Sequence, residues 1–175
     1  GKGTVQVADF EKADAIFVIG QNPGTNHPRM LATLQEASRR GAKIVCINPL
    51  KEAGLVAFTH PKEVFATLTG RGTTIASHYL QPIVGSDIAL LKGMMKHLVH
   101  RDEHENKTVL DWAFIQEHTQ GFDAFVEDLN TTSWESIVAD TGLTQEAIQE
   151  VADIYAESEA SIVCWAMGIT QHVHG

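Results

Sequence analysis

Four short polar motifs have residue types suited to holding an anionic nucleotide. The first, G-Q-N-P-G, runs from Gly20 through Gln21 and Asn22 directly after the apolar run A-I-F-V-I. Gly20 lets a ligand approach the backbone, and a helix that begins just after it would offer unpaired N–H groups to a phosphate. A tight turn between a strand and a helix is an equally good interpretation, because the G-x-G-x-x-G spacing is absent.

The second and third motifs carry side chains that could bind a ribose and a base. Asn48 and Pro49 end the next apolar run, where Asn48 could bond a ribose hydroxyl or form an Asx turn before the proline. Gly85, Ser86 and Asp87 form the motif G-S-D. The Asp87 carboxylate could accept hydrogen bonds from the N1–H and exocyclic amine of guanine, a donor pair that adenine lacks. Its alternative role is to cap the helix that follows.

The fourth motif, W-A-M-G-I-T-Q, follows the last apolar run and contains Met167, Gly168 and Gln171. Gln171 would offer one amide to a ligand, and Gly168 would allow close backbone approach. Methionine and tryptophan at the end of a strand are more often core residues. No single motif therefore decides between a binding role and a structural one.

The elements that must position these motifs indicate an α/β fold. Residues 14–20 and 43–48 are continuous apolar runs, as expected of strands covered on both faces of a parallel sheet. Between them, Pro28 begins and Gly41 ends a predicted helix over residues 28–40. This β-α-β unit predicts a doubly wound, mostly parallel, Rossmann-like sheet with helices on both faces. The motifs should then lie at the carboxyl ends of the strands, where such sheets bind ligands.

The rest of the chain is expected to contain further helices and one more strand. An irregular excursion at about residues 50–84 is expected first, and it ends in a short strand at 79–84. An amphipathic helix capped by Asp87 and a charged turn over 100–107 follow. Short helices over 110–139, a helix capped by Thr144 and a strand over 161–166 complete the chain. Asp102, Glu103 and Glu105 in the charged turn are expected to be solvated. No linker rich in glycine and serine interrupts the chain, so residues 1–175 are expected to form a single domain.

Composition excludes several classes of function. The formal net charge of −9 argues against nucleic-acid binding, which needs clustered Lys and Arg. No apolar stretch approaches the roughly 20 residues that span a bilayer, so no membrane contact is expected. Cys46 and Cys164 lie within apolar runs, as reduced core cysteines do, which favours a cytoplasmic location.

Catalytic motifs are also missing from the sequence. The nine histidines are dispersed and accompany neither H-E-x-x-H nor C-x-x-C, so no metal site is predicted. A G-x-S-x-G elbow is absent, and no nucleophile, base and orienting group stand out. The sequence therefore predicts no catalytic residue.

The motifs taken in order resemble one family. The strings A-D-A-I-F-V-I-G-Q-N-P-G-T-N-H-P, G-A-K-I-V-C-I-N-P, G-S-D-I-A-L-L-K-G and W-A-M-G-I-T-Q are similar to those of molybdopterin oxidoreductase large (α) subunits, and most similar to the formate dehydrogenase-like branch. The intervening L-D-W-A-F-I-Q-E-H-T-Q-G-F-D-A-F and T-G-L-T-Q-E-A-I-Q-E-V-A also resemble the family. The resemblance covers nearly the whole chain from about Ala13.

This resemblance implies a domain that binds a molybdopterin guanine dinucleotide carrying molybdenum or tungsten. It places Gly20, Gln21 and Asn22 on the phosphate and ribose side, Asn48 and Pro49 beside the ribose or guanosine, Gly85, Ser86 and Asp87 at the guanine, and Met167 and Gln171 near the diphosphate and pterin end. One departure weakens the ribose contact: relatives commonly carry Asp-Pro-Arg where this chain has Asn48, Pro49 and Leu50.

The resemblance also implies that the chain is an internal piece of a larger enzyme. It begins without Met and ends just after a strand-like run, and the family's iron–sulfur cysteines and metal-ligating residue are absent. The piece alone is expected to be inactive. Its expected partners are the remaining domains of the parent subunit and electron-transfer subunits. Two alternatives stay open: a non-catalytic iron–sulfur scaffold for electron transfer, and an unrelated nucleotide-binding α/β module.

Overall fold

A computed structural model describes residues 3–58 and 72–172 of the chain. The described residues form two compact units, which we describe separately. The sheet unit comprises those up to Gln81 together with those from Ser158 onward, and the helical unit comprises Pro82–Glu157. The single domain expected from the sequence stays a prediction.

The sheet unit contains a four-stranded parallel sheet. The strands of the described chain are β1 (Ala15–Ile19), β2 (Lys43–Ile47), β3 (Ala57–Phe58), β4 (Thr73–Thr74), β5 (His78–Leu80) and β6 (Ser161–Trp165). The order in the parallel sheet is β5-β2-β1-β6, and Ile19 at the end of β1 pairs with Ile47 and with Trp165. Every residue of β1 is buried, as its unbroken apolar run predicts. The α/β fold class predicted from the sequence is confirmed.

The connection from β1 to β2 contains two helices, α1 (Pro23–Asn26) and α2 (Pro28–Arg39). Pro28 occupies the first turn of α2, where its missing N–H costs no hydrogen bond. The buried apolar residues of α2 recur every three or four positions and form a core with β1 and β2. This core includes Ile16, Val18, Leu31, Leu34, Ala37, Ile44 and Cys46.

The described part of the predicted excursion packs on α2. It contains α3 (Ala53–Val56) and the antiparallel pair of β3 and β4, while residues 59–71 lie outside the described part. Gln35 of α2 is buried and donates a hydrogen bond from Nε2 to Thr73 Oγ1 at 2.9 Å. Ser38 Oγ donates to the Thr74 carbonyl at 2.9 Å. The strand predicted at 79–84 is β5, which begins one residue earlier and ends at Leu80.

The helical unit contains five helices, α4 (Asp87–His104), α5 (Trp112–His118), α6 (Phe122–Thr131), α7 (Trp134–Thr141) and α8 (Gln145–Ala156). The longest of them, α4, packs against α6, α7 and α8. Thr144 caps α8 as predicted, because its hydroxyl accepts a hydrogen bond from the Ala147 N–H. No helix in the described part of the chain is long and apolar enough to cross a membrane.

The charged turn predicted over residues 100–107 is wrong, because α4 continues to His104. Asp102, predicted to be solvated, is only 1% exposed. Its Oδ1 accepts hydrogen bonds from the N–H groups of Val109 and Leu110, and its Oδ2 accepts one from Trp112 Nε1, all at 2.9 Å. Burial alone would raise the pKa of Asp102, but these three donors hold it below its usual value. The carboxylate therefore fixes the loop that follows α4.

Candidate functional site

The strand order of the sheet unit reverses at β1, since β2 and β5 lie on one side of it and β6 on the other. Open parallel sheets bind ligands outside the carboxyl ends of their strands at such a switch point. The loop after β1 begins at Gly20, and the loop after β6 leads into a short helix, α9 (Met167–Thr170). Two of the four motifs therefore flank the switch point.

The two loops meet backbone to backbone at Gly20 and Gly168. A Cβ atom added to Gly168 would lie 2.4 Å from the Gly20 carbonyl oxygen, closer than side chains can approach. Gly20 has φ +59°, and its N–H donates to the Ile47 carbonyl at 2.9 Å. Glycine is therefore required at both positions by contact within the protein, in addition to any contact with a ligand.

The side chains of Gln21 and Asn22 form hydrogen bonds within the sheet unit. Asn22 Oδ1 accepts from the Thr25 N–H at 3.1 Å, and its Nδ2 donates to Glu52 Oε2 at 2.6 Å. Gln21 is buried, with its Nε2 3.3 Å from His27 Nδ1. The predicted contacts of Gln21 and Asn22 with a phosphate stay predictions, and their backbone N–H groups are donors left to make them.

Asn48 and Pro49 lie in a loop after β2 that several hydrogen bonds hold. Asn48 is half-buried, and its Nδ2 donates weakly to the Gln21 carbonyl at 3.5 Å. The Tyr79 hydroxyl donates to the Leu50 carbonyl at 2.8 Å and accepts from the Glu52 N–H at 3.0 Å. Burial raises the pKa of Tyr79, so the phenol stays protonated and able to donate.

No sequence motif indicates Glu52 and Tyr79, whose hydrogen bonds hold the loops after β1 and β2. Glu52 lies 30 residues from Asn22, and Tyr79 lies 29 residues from Leu50. Such pairs follow no local periodicity. Only the order of the strands in the sheet brings them together.

Met167 and Gln171 lie at the two ends of α9. Met167 is 63% exposed, and Gln171 is exposed. No residue in the described ranges forms a hydrogen bond with the Gln171 side chain. Its amide therefore stays accessible to a ligand at this end of the sheet.

Gly85, Ser86 and Asp87 belong to the helical unit and begin α4. Ser86 is the N-cap residue, and its hydroxyl donates to the Ile83 carbonyl at 2.6 Å. The prediction that Asp87 caps the helix is wrong, because Asp87 is the first helical residue. Its carboxylate is half-buried, and no described residue donates a hydrogen bond to it. Asp87 therefore presents an acceptor that the fold itself does not use.

Both cysteines are neutral thiols near pH 7. Burial raises the pKa of the Cys46 thiol to about 12 and that of Cys164 to about 11. Because the thiolate is the nucleophilic form of cysteine, these raised pKa values do not indicate an activated nucleophile at either position. Within residues 3–58 and 72–172, no group of three or more His, Cys, Asp or Glu residues could hold a metal ion.

The family model for molybdopterin oxidoreductases matches residues 3–175. This chain belongs to that family. The match extends over almost the whole sequence, so it includes both units and all four motifs. It confirms the resemblance identified from the motifs.

Curated relatives share the whole length of this chain but are much longer. Protein YdeP of Escherichia coli is 50% identical over 179 residues, covering 100% of this chain and 24% of that protein. Uncharacterized oxidoreductase Rv2900c of Mycobacterium tuberculosis is 41% identical over 174 residues, covering 99% of this chain and 22% of that protein. The F420-dependent formate dehydrogenase subunit alpha of Methanocaldococcus jannaschii is 30% identical over 175 residues, covering 100% of this chain and 22% of that protein. The chain thus spans about a quarter of the length of these relatives.

A solved structure has the same fold. The acetylene hydratase from Pelobacter acetylenicus superposes with a TM-score of 0.69 at 21% sequence identity, covering 91% of this chain and 19% of that one. At this identity the comparison supports the fold alone. The comparison therefore agrees with the α/β fold of the sheet unit.

Proposed function

We propose that this chain holds a molybdopterin guanine dinucleotide within a molybdopterin oxidoreductase of the formate dehydrogenase-like type. The observation that carries the proposal is the contact of Gly20 with Gly168 at the switch point of the sheet. This contact brings together the loops after β1 and β6, and ligands of parallel α/β sheets bind beside such loops.

Side-chain groups that the described residues leave without a hydrogen bond include donors and acceptors that this cofactor needs. The Gln171 amide is exposed, and the half-buried Asn48 carries an amide oxygen able to accept from a ribose hydroxyl. Asp87 supplies a carboxylate. Backbone N–H groups near Gly20 would bind the diphosphate without adding a positive side chain, which agrees with the acidic composition. The residues present therefore fit the cofactor.

In this proposal Asp87 selects guanine. A carboxylate with two acceptor oxygens can take both the N1–H and the exocyclic amine, which lie side by side on guanine. Adenine offers a ring nitrogen acceptor at the position of N1, and that acceptor would face the carboxylate with no proton between them. Asp87 is free to act in this way because Ser86, and not Asp87, is the N-cap of α4.

Titration with GDP and ADP tests this role of Asp87. The wild-type chain should bind GDP about tenfold more tightly than ADP, a difference of about 1.4 kcal/mol, and Asp87→Asn should abolish the preference. Asp123→Asn is a matched control, because Asp123 lies in the first turn of α6 as Asp87 does in α4. Equal affinity of the wild-type chain for the two nucleotides would disprove the guanine role.

We propose that the remaining domains of the parent subunit cover one face of β6. Val163 and Trp165 are 43% and 58% exposed on this edge strand, whereas Ile162 and Cys164, which alternate with them, are buried and half-buried against the core. The relatives are about four times longer than this chain, so they contain polypeptide that could cover an apolar edge.

The parent enzyme, in this proposal, carries out two-electron redox chemistry at a molybdenum or tungsten ion that the bound cofactor supplies. The chain contributes binding and orientation of the cofactor. The residue that ligates the metal, an iron–sulfur cluster and the contacts with electron-transfer subunits are assigned to the rest of the parent protein. The chain alone is accordingly proposed to be inactive.

A further inference from the structure

Two histidines lie side by side on the exposed surface of α4. His100 and His104 are four residues apart, so they lie on the same face of the helix. Their Nε2 atoms are 3.1 Å apart, and their ring centroids are 4.3 Å apart. The sequence around them, H-R-D-E-H, has the H-x-x-E-H order, which reverses the H-E-x-x-H motif.

The distance between the two nitrogens matches that of two ligands on one metal ion. Imidazole nitrogens bind zinc at about 2.0–2.1 Å, and two nitrogens 3.1 Å apart then subtend roughly 100° at the ion. This angle lies between about 90° for octahedral and about 109° for tetrahedral coordination. To bind one ion, each ring would turn so that its Nε2 lone pair points at the ion and not at the other nitrogen.

The hydrogen bonds of α4 distinguish this pair from the histidine one turn earlier. His97 forms a hydrogen bond with Asp153, and its Nε2 lies 2.7 Å from Asp153 Oδ1. Among the described residues, His100 and His104 form a side-chain hydrogen bond only with each other, between their Nε2 atoms, and a single shared proton supplies it. A metal ion that replaced this proton would break no hydrogen bond to another residue of the helical unit.

We propose that His100 and His104 form a bidentate site for a divalent transition-metal ion. Imidazole pairs favour Cu²⁺, followed by Ni²⁺ and Zn²⁺, over Mg²⁺ and Ca²⁺, which prefer oxygen ligands. No group of three or more potential ligands occurs among the described residues, so the ion keeps open positions for water or for a ligand from another molecule. The site is independent of the cofactor role proposed above.

Isothermal titration of the whole 175-residue chain with CuCl₂, NiCl₂, ZnCl₂ and MgCl₂ tests the site. The tightest Cu²⁺ site should weaken by about tenfold or more in both His100→Gln and His104→Gln, because each removes one arm of a chelate. His118→Gln is the control, since His118 is another exposed helix histidine, and it should bind as the wild type does. His172 and His174 remain in these three variants as a constant background.

A spectroscopic measurement separates metal binding from an effect on folding. Electron paramagnetic resonance of the Cu²⁺ complex should show coupling to two nitrogens in the wild type and to one in each single variant, while the urea midpoints stay equal. Unchanged Cu²⁺ affinity in His100→Gln or His104→Gln would overturn the proposal. Loss of the site in His118→Gln or in a His172→Gln variant would overturn it too.

Discussion

Replacing Asp102 by alanine is expected to lower the free energy of unfolding of this chain by about 3 kcal/mol. The carboxylate is buried and accepts from Val109, Leu110 and Trp112. Alanine would leave these three N–H groups without an acceptor. Urea denaturation measured for wild type and variant gives the difference directly.

Two further variants test whether hydrogen bonding is the cause. Asp102→Asn keeps one acceptor oxygen but turns an amide N–H toward a donor. We therefore expect it to lower the free energy of unfolding by about half as much as Asp102→Ala does. Glu103→Gln, the matched control at the next residue, is exposed and should change stability by less than about 0.5 kcal/mol. Equal stability of Asp102→Ala and Glu103→Gln would contradict the structural role of Asp102.

The same carboxylate predicts a dependence on pH. The pKa of Asp102 in the folded chain is below its ordinary value of 3.8, so its contribution to stability is present above that pH. It is lost as pH falls through the folded-state pKa, because protonation removes the charge that the three donors favour. The stability difference between wild type and Asp102→Asn should therefore be largest near neutral pH and shrink below about pH 4.

Gly168→Ala is expected to destabilise the chain by about 2 kcal/mol and to weaken GDP binding. The added methyl group would lie 2.4 Å from the Gly20 carbonyl oxygen and 2.7 Å from its Cα. Because backbone cannot move aside as a flexible side chain can, the loops after β1 and β6 must separate. Urea denaturation and nucleotide titration measure the two effects.

Gly41→Ala separates this clash from ordinary backbone strain. Gly41 has φ +95°, and no atom lies within 4 Å of a Cβ added there. Alanine at this position should cost about 1–2 kcal/mol through its left-handed conformation and leave GDP binding unchanged. Wild-type affinity for GDP in Gly168→Ala would contradict the proposal that these two loops form the binding site.

The first part of the fold follows from local patterns. The runs that became β1 and β2 are continuous and apolar, and Pro28 begins α2, so the sequence located these elements to within a residue. Their parallel pairing also follows, since a helix must cross between them. The residues of each of these elements indicate it without any contact to residues far along the chain.

The features that the sequence did not predict depend on residues far apart. Asp102 belongs to a charged run typical of a solvated turn, and only its contacts with Val109, Leu110 and Trp112 allow its burial. The contact of Gly20 with Gly168 joins residues near opposite ends of the sequence. Neither feature has a spacing that sequence periodicity could reveal.

The candidate site was predicted as a set of motifs rather than as a geometry. The structure adds that Asn22 binds Glu52 and that Asp87 does not cap α4. The first finding shifts the proposed phosphate contact toward the backbone. The second removes helix capping as an explanation for Asp87. The same sequence motif thus gains a sharper functional interpretation once its hydrogen bonds are known.

Nuclear magnetic resonance of the isotope-labelled chain during titration with GDP tests the central claim most directly. The cofactor role predicts shifts of the backbone amides of Gly20, Asn48, Asp87 and Gln171, with a smaller change at Asp87 when ADP is used. A cavity of about 710 Å³ is bordered by Gln21 and lies otherwise against residues outside the four motifs, among them Val7, Phe10 and Thr33, whose amides provide an internal comparison. Shifts confined to Val7, Phe10 and Thr33, or no shifts at the four amides at saturating GDP, would contradict a guanine-dinucleotide site.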